Sequence, residues 1–280
     1  MVSIRFGFFG INLIDWIVPK LLLGLVVAPV MIGAILIGSL SAGASGAEIE
    51  GVSEATNVRF SKGISFVLEV KGGTDIVEVK LNYRKGRGGP WVYTYLHLVP
   101  SRHVVASFTL DTSAKRYIPP GAEVEYFFVI SDAGGNVVQT DRQICIYADT
   151  RFNWQSTIVG SLILMWHDQP LDQVQSITDG LGDSMGRIED LLGLELNFPV
   201  RGVIYNTAME AAPAFPVFSQ TLHERQIFHG FAFPEWDAFT GIGLDLDLIT
   251  HEIAHLLLEK ATGSPVAMIP AWLDEGFASY

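Results

Sequence analysis

Apolar and polar residues alternate along Val67-Leu68-Glu69-Val70 and Val77-Glu78-Val79-Lys80-Leu81, the two-residue period of strands with one buried face. Further strands are expected at Trp91–Leu98, which is rich in aromatic and β-branched residues, at Val104–Leu110 and at Ala122–Ile130. Turn clusters divide them at Lys71-Gly72-Gly73, Gly86–Pro90, Pro119-Pro120-Gly121 and Asp132–Asn136. Short strands at this spacing predict a β-sandwich over residues 48–147. Beyond residue 148 the pattern changes. Ile158–Trp166 reads as a strand, and Leu171–Leu192 has helical spacing, with Val174, Ile177, Leu181, Met185, Ile188 and Leu191 on one face. Val200–Tyr205 is a second strand, and Ile227–Phe233 a third, running into Pro234. Strand, helix, strand, strand, then a C-terminal helix is an α+β order over residues 148–280. The predicted fold class is therefore an all-β sandwich followed by an α+β domain.

The first 47 residues follow neither pattern. Arg5 and Lys20 precede an apolar run from Leu21 to Leu40, and small residues follow from Ser41 to Ala47. The tail fits a cleaved export signal ending at Ala44 or Ala47, whereas the length of the run fits an uncleaved membrane anchor. Either choice places the rest of the chain outside the cytoplasm, secreted or held at the cell surface through residues 21–40. Net charge is −12, and the one basic cluster, Arg84-Lys85-Gly86-Arg87, reads as a solvated hairpin tip, so nucleic acid is not an expected partner. A single cysteine, Cys145, rules out an intramolecular disulfide and reads as a packed thiol on a strand.

Candidate chemistry lies near the C-terminus, in His251-Glu252-Ile253-Ala254-His255 and Trp272-Leu273-Asp274-Glu275-Gly276-Phe277. Residues four apart share a helix face, so His251 and His255 can aim at one cation while Glu252 is rotated aside. Leu248, Ile249, Ile253, Ala254 and Leu256–Leu258 give this helix an apolar frame. Gly263-Ser264-Pro265 ends it, and Pro270 begins a second helix that carries Glu275 as a third ligand. Gly276 and Ala278 are expected to let the two helices approach closely. Two imidazoles, a carboxylate and an open position make a zinc donor set. Asp245 and Asp247 lie where acids favour a helix N-terminus, with calcium as a weaker reading.

On these residues the chain resembles the gluzincin metallopeptidases of the peptidase MA-like group, and Ala271–Tyr280 is similar to their glutamate-bearing string. The resemblance covers roughly residues 148–280. It implies a zincin-like domain, Zn2+ on His251, His255 and Glu275, and Glu252 as the catalytic base that takes a proton from metal-bound water to hydrolyse a peptide bond. It also implies a peptide or protein substrate laid along the edge strand at Phe228, Gly230 and Ala232, and a helical subdomain beyond Tyr280, so the domain is expected to be incomplete. His223 and His229 are candidates for holding an oxyanion. Gly121–Phe127 followed by Asp132–Val137 resembles the last hairpin of an immunoglobulin-like or fibronectin-III-like module. The competing expectation is a non-catalytic surface binding protein in which the sandwich recognises a partner. A zinc-dependent hydrolase of another bond also fits the donor set.

Overall fold

The computed structural model describes residues 28–29, 34–36, 49–113, 116–216, 229–263 and 269–280. The export or anchor segment, His223 and Phe228 lie outside the described residues, apart from five residues in two short strands, β1 (Ala28–Pro29) and β2 (Ala34–Leu36). No helix among the described residues is long and apolar enough to cross a membrane.

One long strand organises the first half of the chain. β4 (Gly63–Lys85) pairs through its first half with β3 (Ile49–Arg59) and β6 (Ser101–Asp111). Through its second half it pairs with β5 (Val92–Tyr95) and β7 (Glu123–Asp132), all antiparallel. β8 (Val137–Gln139) and β9 (Gln143–Ile146) extend the sheet from β7. Ile64, Phe66, Leu68 and Val70 from the first half of β4 share a core with Val79 and Leu81 from the second. The turn expected at Lys71-Gly72-Gly73 is absent. The chain stays extended there, and the pairing register with β6 shifts between Lys71 and Ile76. Glycines let the strand bend without a loop.

Strand membership changes sheet between β9 and β10 (Gln155–Val159). The second sheet runs β1-β10-β11-β12-β14-β13, with β11 (Leu162–Trp166), β12 (Val200–Tyr205), β13 (Gly230–Phe233) and β14 (Ala238–Ile242). The single strand expected over Ile158–Trp166 is a hairpin, turned at Gly160 with φ of 56°. β11, β12 and β14 are parallel neighbours, and β13 closes the edge antiparallel to β14. α1 (Leu171–Leu192) matches its predicted span and ends at Gly193 in the left-handed conformation. α2 (Ala208–Ala211) follows β12. Thr207 and Glu210 close a capping box over it. α3 (Leu246–Thr262) packs with α1 over one face of the sheet, where Ile249, Ile253, Leu256 and Leu257 meet Val174, Leu181 and Ile204. α4 (Ala271–Ala278) follows, opened by Pro270.

A buried carboxylate, Glu123, joins the two sheets through Arg201. Glu123 on β7 accepts from Arg87 Nε at 2.9 Å and from Arg201 Nη1 on β12. Within the first sheet, Arg84 Nε donates to Glu125 Oε2 at 2.6 Å. The basic cluster is therefore not a free hairpin tip, since two of its three cations are tied to carboxylates on β7. Cys145 is buried in β9, and burial pushes its thiol up to about 11, as an inert packed thiol requires.

Candidate metal centre

α3 begins where Asp245 accepts a bond from the Leu248 amide at 2.9 Å, and Asp247 stands in its first turn. The cap explains both acids without calcium. From that start, the face carrying Ile249, Ile253, Leu256 and Leu257 is driven into the core. The adjoining face turns His251 and His255 outward together. Their Nε2 atoms stand 3.1 Å apart, with the rings at 83°. Glu275 Oε2 from α4 lies 3.5 Å from His251 Nε2 and 3.9 Å from His255 Nε2.

These three donors fit a divalent cation. Four ligands about 2.05 Å from a tetrahedral zinc stand about 3.3 Å from one another. The three separations bracket that value. Two imidazole nitrogens so close, with a carboxylate oxygen on the same side, are also a poor arrangement without a cation, because at most one of the facing nitrogens can donate to the other. His255 is further oriented by Asp274, whose Oδ1 is 2.7 Å from Nδ1. A carboxylate on the far nitrogen fixes a metal-ligand histidine's tautomer and direction. The sequence reading placed Asp274 beside the ligand Glu275 but gave it no role. Its signal was the i+19 spacing from His255, which means nothing until the turn between the helices is known.

Glu252 is 5 % exposed and points away from water. Burial, followed by the nearby carboxylates of Glu275 and Asp274, pushes its carboxyl up to about 8. A bound dication would act in the opposite direction. Its side chain packs on the edge strand: a Cβ at Gly230 would come within 2.3 Å of Glu252 Oε1. Gly230 is thus placed by packing against this carboxylate. Ala232 lies on the same strand, packed against the sheet's helix-side core. His229 is exposed, and its carbonyl accepts from the Ile242 amide at 2.7 Å. The close approach expected at Gly276 does not occur, since a Cβ there would meet nothing within 4 Å.

α4 contrasts with α3. None of its eight residues is buried, Trp272 is 76 % exposed, and the Glu275 side chain is 65 % exposed. Among the described residues the side of the cluster formed by α4 is open to solvent.

No protein-family model matches this chain, and no curated protein matches it. Solved structures similar to part of it include two carrying the family 56 designation. One is the crystal structure of the Br derivative of BhCBM56, at 10 % identity over 34 % of this chain and 90 % of that one, with a TM-score of 0.26. The other is the family 56 carbohydrate-binding module described as a beta-1,3-glucan binding domain, at 18 % identity over 34 % of this chain and 96 % of that one, with a TM-score of 0.23. At those scores neither assigns a ligand to this chain. No family model and no curated protein supports the gluzincin membership suggested by His251–His255 and Ala271–Tyr280, so it does not stand, nor do the metalloprotease and hydrolase expectations that rest on it. The all-β part of the predicted fold holds. Three ligands at helical spacing carry a coordination geometry, and that geometry alone does not specify a reaction.

Proposed function

We propose that this chain is a non-catalytic binding protein, exported from the cytoplasm, that holds one zinc ion on His251, His255 and Glu275 and recognises its partner through the β-sandwich. One observation carries the reading: three donor atoms from α3 and α4 converge within 4.8 Å, yet the helix that supplies the third has no buried residue. Metal catalysis needs a dry, preorganised surround in which charge developing in the transition state meets fixed dipoles. An exposed carboxylate on a short surface helix supplies a ligand without that surround. The metal's work is then to tie α4 to α3. Asp274 supports the same role, because it fixes His255 for coordination.

Zinc content of the purified full chain, measured by mass spectrometry after dialysis, tests the reading. One equivalent is expected in the parent, falling by at least tenfold in His251→Ala. Less than a tenth of an equivalent in the parent, or cleavage of a peptide library by the zinc-loaded chain that is lost in Glu252→Gln, overturns it.

A further inference from the structure

β6 stands apart from the other strands at the sheet edges. β1 and β2 cover part of the edges at β10 and β3, and β5, β8, β9 and β13 have four residues or fewer. β6 runs for 11 residues, and among the described residues it pairs with β4 alone. The Thr112 amide donates to the Lys62 carbonyl at 3.2 Å. Successive residues of an antiparallel strand direct their backbone groups to alternate sides. Even-numbered residues of β6 therefore bond β4, while His103, Val105, Ser107 and Thr109 turn their backbone groups to the open edge. Natural edges are blunted by charge, proline or bulges. Val104–Leu110 reads Val-Val-Ala-Ser-Phe-Thr-Leu, with no charge, proline or glycine, and its register with β4 is unbroken. Val104, Ala106 and Leu110 point inward and are buried. Phe108 points the same way yet is only half-buried, stacked on Tyr83 at 6.0 Å. The core is unfinished at this edge.

We infer that β6 pairs antiparallel with β6 of a second copy of this chain, across a two-fold axis at Ser107. Register follows from side-chain direction and charge. Opposed residues in an antiparallel pair share a face, so the exposed odd-numbered residues oppose one another. An axis at Ser107 sets His103 against Asp111, Val105 against Thr109, and Ser107 against its own copy. On the inner face it sets Val104 against Leu110 and Ala106 against Phe108, which covers the Phe108 ring. An axis moved to Ala106 or Phe108 takes His103 away from Asp111. The His103 imidazole stands 2.9 Å from Glu69 through Nε2, and Nδ1 faces the other copy's carboxylate in the pair. Charge also selects a second copy as the occupant. The strand opens with Arg102 and His103 and closes with Asp111, so antiparallel self-pairing brings each start to the other's end. Chains of net charge −12 repel one another, and this edge offers a contact with no like charges in opposition. A two-fold pair also closes on itself and uses up the open edge. No residue of α3 or α4 takes part, so the inference goes beyond the metal reading and does not rest on it.

Sedimentation equilibrium of the full chain tests the inference, and a reversible dimer is expected. Ser107→Lys sets two like charges against each other at the axis and should raise the dissociation constant at least tenfold, whereas Ser107→Thr should keep it within threefold. Ser107 is exposed in the single chain, so both variants should keep the parent's circular dichroism. Thiols read the register. Cα atoms of a bonded antiparallel pair stand about 5.5 Å apart, within the span of a disulfide. Ser107→Cys should therefore give a disulfide-linked dimer on mild oxidation. Val105→Cys, about 14 Å from its own copy in this register, should not. The parent controls for Cys145, which is buried. A parent that stays monomeric up to about 0.1 mM, leaving the edge to a foreign strand, overturns the inference. So does a dimer unmoved by Ser107→Lys, or equal cross-linking through Val105→Cys.

Discussion

α3 and α4 each hand side chains to one cluster, yet they are held in place by different forces. α3 is seventeen residues long and sinks Ile249, Ile253, Leu256 and Leu257 into the core. α4 is eight residues long and has no fully buried residue. Isolated helices of that length are marginal in water, because nucleation costs more than a few hydrogen bonds return. His251 and His255 are therefore presented by the fold, whereas Glu275 is presented by a helix that gains much of its reason to stay from the cluster. The difference teaches that the proposed metal site would be half scaffold and half clamp, with two halves that respond to different perturbations.

The largest effect separates the helices by packing alone. Ile253→Ala in α3 leaves a cavity in the core and should cost about 2–5 kcal/mol. Leu273→Ala in α4, where the side chain is 44 % exposed, should stay within about 0.5 kcal/mol. Urea midpoints of the metal-free chain compare the two. Equal losses would mean that α4 is anchored by packing and would erase the distinction.

Acid sharpens the same contrast between buried and exposed carboxylates. Burial works to raise the Glu123 carboxyl, but bonds from Arg87 and Arg201 outweigh it and hold the group below the ordinary glutamate value. A depressed folded-state value means that its contribution to stability is fully present above the unfolded value and is lost as pH falls through the folded one. Melting temperature followed downward from pH 6 should drop across that acidic window, with a shallower slope in Glu123→Gln. An identical slope in the two proteins would show that the Glu123 ion pairs carry none of the acid sensitivity.

Much of this architecture was legible in the chain, and the misses have physical causes. α1 was read to its ends because its apolar residues repeat at helical spacing beneath acids. β14 was missed because four of its five residues are buried, so Ala238-Phe239-Thr240-Gly241 shows no alternation. Gly72-Gly73 reads as a turn in the sequence, whereas Gly72 pairs with Ile49 of β3 and the stretch stays extended within β4 although its pairing with β6 is interrupted there. At the site, His251 and His255 followed from periodicity within one helix. Convergence with Glu275 depended on a connection between helices, and Asp274 required the orientation of one imidazole. Helical spacing is local information, and both of those are tertiary. The peptidase assignment failed at the next step, because a donor set specifies a cation before it specifies a reaction.

Asp274 offers a finer cut, since it lies on the exposed helix but acts on the embedded one. Asp274→Asn keeps the side chain's size and removes the charge that holds His255 Nδ1 at 2.7 Å. Zinc affinity should fall about 10- to 100-fold, measured by competition with a chromophoric chelator, while the urea midpoint of the metal-free chain stays unchanged. An unaltered affinity would leave His255 oriented by α3 alone.

The smallest effect tests whether α4 is limited by its own helical stability. Gly276 sits inside the helix, where a Cβ would meet open space. Glycine within a helix costs about 0.5–1 kcal/mol relative to alanine, through the freedom it loses on ordering. Gly276→Ala should therefore stabilise α4 without touching a neighbour. If the metal clamps a helix that is otherwise loosely held, less of the binding energy goes into ordering it, and zinc affinity rises by about two- to fivefold, the same 0.5–1 kcal/mol expressed as binding. Proteolysis between α3 and α4 in the metal-free chain should slow by a similar factor. An unchanged affinity alongside an unchanged cleavage rate would show that α4 is already fully formed before the ion arrives, and the division into scaffold and clamp would collapse into a single preorganised site.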